Sequence, residues 1–193
     1  MTTPAWYLRR AVPWPSMLGG LVVGALLVLA VHRWESAAGA ALPVIALLAA
    51  AGAAFGYDEP ALAVADVTPR GARWAPASRF VAGLVPLVAG LVLLLLAPGE
   101  VDASSWALVV AGIGAAGSSI AGVASARQVP RPGATVAGLV VFVGLAPLAM
   151  GPMLALPALY PSPDLSGAVT TFWVLLAVIA LAGSPVGPRL VRR

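Results

Sequence analysis

An all-α polytopic membrane bundle of about six transmembrane helices, with both termini on the cytoplasmic side, is the fold that three observations in this sequence predict. Hydrophobic residues make up 61% of its 193 residues and charged residues only 9%, whereas a water-soluble domain carries about a quarter of its residues as charge. Uncharged runs of about 17 to 25 residues recur along the chain, the length that crosses a hydrocarbon core of about 30 Å as a helix. The arginines fall between those runs and almost entirely on one side of them, the distribution that sets topology. A mean hydropathy of +0.98 fits the same reading.

Six runs are predicted as spans, at about 16–33, 37–56, 80–98, 105–126, 134–156 and 167–186, and the whole chain, residues 1–193, is read as one transmembrane domain. Helix is the state expected of each, because backbone groups in lipid must be satisfied within the segment and the alternation of a membrane barrel strand is missing. Ahead of the first run, MTTPAWYLRRAVPWP carries Arg9 and Arg10 but no small-residue cleavage site follows, so the segment is expected to be retained. The first span ends at His32, Arg33 and Trp34, where His32 reads either as an interfacial anchor or as a proton sensor.

Between the second and third spans lies a 23-residue connection, YDEPALAVADVTPRGARWAPASR (57–79), with three acids and three arginines. Asp58 or Glu59 can cap a helix whose first turn accepts Pro60, ALAVAD can form two turns, and Pro69 with Gly71 stops it. Two readings stand: a solvated loop with a helical turn, or a surface helix on which a cytoplasmic partner docks. In the fourth span Gly114, Ser118 and Gly122 recur every four residues beside a second row of Ala111, Ala115 and Ser119, the spacing that lets helices approach closely. Ser118 and Ser119 are expected to bond to the preceding turn or across to a neighbouring helix. From Gly133 to Pro163 no charge occurs and prolines stand at 147, 152, 157, 161 and 163. One straight helix of that length would reach about 46 Å, so the fifth span is expected to kink and its outer part, near MGPMLALPALYP, to lie in the outer interface or re-enter, the alternative being a Pro-kinked, slightly long span.

With this topology the inner side holds ten arginines against three acids, a net +7, and the outer side Arg33 against four acids, a net −3, which recover the formal charge of +4. The arginines come in ones, twos and threes between apolar runs, so no continuous basic face for nucleic acid forms. Lysine is absent, which excludes a P-loop in this chain, and cysteine is absent, which excludes thiolate metal sites and cysteine nucleophiles. Ser118 and Ser119 have no histidine at similar depth to act as base. No span carries a mid-membrane charge of the kind that ion-coupled carriers use. No catalytic residue, cofactor or metal is expected, and the chain is read as a non-enzyme.

The layout resembles the membrane-permease subunits of ABC exporters, in the type-2 permease superfamily, in a small actinobacterial-like form. PAWYLRRAVPW (Pro4–Trp14) resembles the elbow before their first span. DEPALAVADVTP (Asp58–Pro69) resembles the coupling segment that docks on the ATPase, and MGPMLALPALYP (Met150–Pro161) resembles their re-entrant outer element. The resemblance implies a permease in the cell membrane, paired with itself or a sister permease and contacting lipids, with Asp58, Glu59, Asp66, Arg70 and Arg73 touching a separate cytoplasmic ATPase subunit. The alternative is a non-transporting scaffold that anchors a cytoplasmic complex through the same loop.

Overall fold

A computed structural model describes residues 12–58, 71–99, 101–154, 158–161 and 165–183. Those residues are all helical or connecting, with no strand. Six α-helices follow in order: α1 (Trp14–Arg33), α2 (Ala38–Phe55) after a 3-10 turn (Glu35–Ala37), α3 (Gly71–Leu95), α4 (Ala103–Ala126), α5 (Pro132–Leu154) and α6 (Gly167–Gly183). Five are long and apolar enough to cross a membrane, in the segments Trp14–Arg33, Glu35–Phe55, Ser78–Leu95, Ala103–Ala126 and Pro132–Gly151. At 17 residues α6 is shorter, about 25 Å against a core of about 30 Å.

Local chemistry explains most of the boundaries. Pro15 stands in the first turn of α1, where a missing N–H costs nothing, and His32 and Arg33 close the last turn against the helix dipole. His32 is exposed, its Nδ1 donating to the Val28 carbonyl at 3.0 Å. The Arg33 guanidinium lies 5.8 Å from the centre of the Trp34 ring. Asp102 caps α4, accepting from the backbone N–H of Ser104 at 3.3 Å and of Ser105 at 2.8 Å. The third helix departs most from expectation: it starts at Gly71 rather than near residue 80. At 25 residues it is about 37 Å long, so a stretch of two turns precedes the apolar window that begins at Ser78.

α2 is the hub of the bundle, packed against α1, α3, α4 and α5. Its sequence, AGAALPVIALLAAAGAAF, explains that position, because seven buried alanines leave little between its backbone and four neighbours. Glycine stands at the tightest approaches, on α2 and on its neighbours. A Cβ on Gly52 of α2 would lie 2.6 Å from the Met17 carbonyl and 2.9 Å from Pro86, and Gly90 of α3 sits directly on Ala49. These pairings, with Gly20 on Leu48, make α1, α2 and α3 successively antiparallel, and the Asp58 bonds to Gly133 and Ala134 put the start of α5 beside the end of α2. Asp58, Arg79, Arg127 and Arg131 therefore share one end of the bundle, the arginine end, while Glu35 and Asp102 lie at the far end.

At the far end the chain folds back after α5. Despite Pro147 and Pro152, α5 runs unbroken to Leu154, ten residues or about 15 Å beyond Gly144. Yet the Tyr160 hydroxyl donates to the Gly144 carbonyl at 2.6 Å. Trp173 of α6 fastens the same segment by donating Nε1–H to the Leu159 carbonyl at 2.8 Å. Tyr160 is buried between Trp106 and Trp173, its ring centre 6.4 Å from each. Of the stretch expected to re-enter, Met150–Leu154 thus continue α5 as helix, and residues 158–161 lie back against α5 and α6.

Candidate coupling site at the arginine end

The last turn of α2 tightens as it leaves the bundle. Gly56, Tyr57 and Asp58 donate their backbone N–H groups three residues back, to Ala53, Ala54 and Phe55, at 3.2, 3.0 and 3.0 Å. That turn brings Asp58 to the start of α5. Its Oδ1 accepts the Gly133 N–H and its Oδ2 the Ala134 N–H, each at 2.7 Å. Asp58 caps a helix that begins 74 residues later in the chain, while the local helix it was expected to cap, starting at Pro60, lies outside the described residues.

The sequence around Arg131 shows why the cap comes from elsewhere. Pro132 occupies the first position of α5 and has no N–H, so Gly133 and Ala134 hold the first donors without a helical partner. The preceding residue is arginine, whose side chain has no acceptor with which to cap them. A carboxylate supplies two charge-assisted hydrogen bonds and sits favourably at the positive end of the helix dipole. Gly133 makes the approach possible: a Cβ there would lie 2.5 Å from the Ala54 carbonyl oxygen and 2.9 Å from both Phe55 Cα and Asp58 Cγ.

The short connection from α4 holds α5 in register. Val129 N–H bonds to the Ala124 carbonyl, closing the six-residue loop that ends many helices, with Gln128 at φ 57° where glycine is usual. Arg131 also has positive φ, at 48°. Beside Asp58, Tyr57 is buried under the bundle. Burial pushes its phenol above the ordinary value, and the positive charge of Arg79 draws it part of the way back.

Of the five residues expected to meet a partner, Asp58 is thus turned into the bundle, half-buried against α5. Arg73 lies in the first turn of α3. Glu59, Asp66 and Arg70 lie outside the described residues, as does the short helix expected between them. Arg127 and Arg131 are exposed at the same end. Gly133 and Ala134 were missed as site residues. Their signal was a proline-started helix with no capping side chain of its own.

The small-residue row of α4 divides between two roles. Gly114 is buried against Leu87 of α3 and Gly122 is buried as well. Ser118 is half-buried and faces a groove of about 290 Å³ between α3, α4 and α6. Ser119 donates its hydroxyl to the Ala180 carbonyl of α6 at 2.6 Å, the second of the two bonds expected of it. Among the described residues no group of three His, Asp or Glu side chains is placed to hold a metal ion. No protein-family model, curated protein or solved structure matches this chain.

Proposed function

We propose that this chain is the membrane-permease subunit of an ATP-driven exporter, crossing the cell membrane six times with the arginine end and both termini in the cytoplasm. A separate ATPase subunit docks on the 57–79 connection, and the chain works as a pair with itself or a sister permease. In this reading α6 is the sixth span. The orientation rests on arginine placement, which favours the cytoplasm for Arg79, Arg127 and Arg131 together.

The observation that supports coupling best is the bond pair from Asp58 to Gly133 and Ala134. A docking loop transmits force only if its root is fastened to the elements that must move. Asp58 fastens the root of this loop to α5, and α5 in turn holds the folded-back segment through Gly144. ATP-driven closure of the partner pushes on residues 59–73, the push reaches α2 and α5 at the Asp58 joint, and rigid-body tilting of packed helices follows. No residue of this chain performs chemistry in that cycle.

Charge reversal at Arg70 and Arg73 tests the docking role. The R70E/R73E double variant should insert normally and lose the ATPase subunit during gentle purification. Full partner retention by the double variant contradicts the assignment of the loop.

A further inference from the structure

We infer that Tyr160 is a bolt across a hinge in α5: the turn from Val143 to Pro147 is the hinge, and residues 158–161 are a strap that the bolt keeps seated at the far end of the bundle. Backbone chemistry places the hinge. Pro147 has no N–H to give to the Val143 carbonyl four residues before it, and its ring crowds that carbonyl. Pro152 likewise withholds a donor from Leu148. In lipid such gaps are filled by neighbouring groups, and the Tyr160 hydroxyl donates to the very next carbonyl, that of Gly144, at 2.6 Å.

Packing puts the pivot at the same turn. Gly144 sits directly on Leu47 of α2, and Leu145 and Leu148 still lean on the core. Past them the helix stands clear: Ala149, Met150 and Met153 are exposed, and a Cβ on Gly151 would meet nothing within 4 Å. Among the described residues α5 packs on α2 and α4 and not on α6. The strap supplies that link, with Tyr160 bonded to α5 and the Leu159 carbonyl bonded to Trp173 of α6.

Seated, the strap closes the far end, because the Tyr160 ring fills the space between Trp106 of α4 and Trp173 of α6. Released, it uncovers both tryptophans and lets the outer part of α5 swing about Gly144. One hydroxyl is a fitting bolt: a hydrogen bond between helices in a membrane shifts an equilibrium by about three- to twentyfold, enough to hold the strap and little enough to let it go. The device stands on its own geometry, whether or not an ATPase docks on the loop.

The chain has no cysteine, so Leu139→Cys and Met153→Cys, both at exposed positions of α5, place spin labels on either side of the hinge, about 21 Å apart along the helix. Pulsed electron spin resonance of the full chain in nanodiscs should give one dominant distance while Tyr160 is present. Tyr160→Phe should raise a second, shorter population by about three- to twentyfold. Adding Pro147→Ala should restore the single distance, because alanine returns an N–H to the Val143 carbonyl while the strap stays unbolted; a merely structural loss at Tyr160 would not be rescued there. Hydrogen exchange on the chain with Tyr160 intact gives a second readout: amides 148–151 should exchange faster than amides 139–142, and P147A alone should slow them. An unchanged distance in Y160F, a second population that persists in Y160F/P147A, or exchange at 148–151 that P147A leaves unchanged would each overturn the inference.

Discussion

Removing the Asp58 carboxylate should loosen the joint between α2 and α5 more than any other single polar change in the described bundle. Asp58→Ala leaves the Gly133 and Ala134 N–H groups, each now bonded at 2.7 Å, without an acceptor. A hydrogen bond to a charged group contributes about 1.5–3 kcal/mol. Because Asp58 is only half-buried, solvent screens the charge and can replace part of the pairing, so the loss expected for the two bonds is roughly 2–4 kcal/mol. Asp58→Asn should lose about half as much, since its single oxygen can serve one of the two donors. Gly133→Ala strikes the same joint by overpacking, at a cost of about 1–3 kcal/mol, because its Cβ meets backbone atoms of α2 that cannot rotate away. Thermal unfolding in mild detergent, followed by the fluorescence of the six tryptophans, should show D58A melting roughly 5–15 °C below wild type. The D58A/G133A pair should lose less than the sum of the singles, since both break one contact. A D58A melt within a degree of wild type, or strict additivity, refutes the joint.

Three further outcomes follow from other contacts. Tyr160→Phe removes the bond to the Gly144 carbonyl and should cost about 0.6–1.7 kcal/mol, with faster proteolysis of the 155–166 segment as the second readout. Gln128→Gly relieves a left-handed residue at the end of α4 and should raise stability by about 1 kcal/mol in the same melt. Asp102, held to about 2 by its hydrogen bonds to Ser105 and Ser104, has a folded value below its ordinary one, so its cap is fully present above about pH 4 and is lost as pH falls toward 2. Helical circular dichroism should decline over that window, and Asp102→Asn, which caps without a charge, should remove the dependence.

Much of the fold was legible because lipid-length apolar runs and arginine spacing depend on composition alone. The first, second, fourth and fifth helices fall within two residues of their expected bounds at both ends. The start of α3 was misplaced because Arg73, Pro76 and Arg79 look like loop chemistry, although a helix can leave the membrane and keep its hydrogen bonds in water. The hub role of α2 was also missed. Its alanines read as bland hydrophobicity, while the glycine row of α4 drew the packing prediction, and only the tertiary arrangement tells which small residues meet a backbone. The Asp58 joint escaped for a related reason: it links residues more than 70 apart, and a carboxylate beside Glu59 and Pro60 has an obvious local helix to cap. What could have been read was the complement, a helix opening with Arg-Pro-Gly and lacking any acceptor for its first donors.

The central claim is that this chain is the membrane half of an ATP-driven machine, and gentle purification of the tagged chain from its native host into nanodiscs tests it most directly. Mass spectrometry should find a nucleotide-binding subunit in stoichiometric amount, with ATPase activity that disappears when residues 59–70 are deleted. Recovery of the chain alone, or with partners that have no ATP site, would contradict the exporter assignment and favour a membrane scaffold.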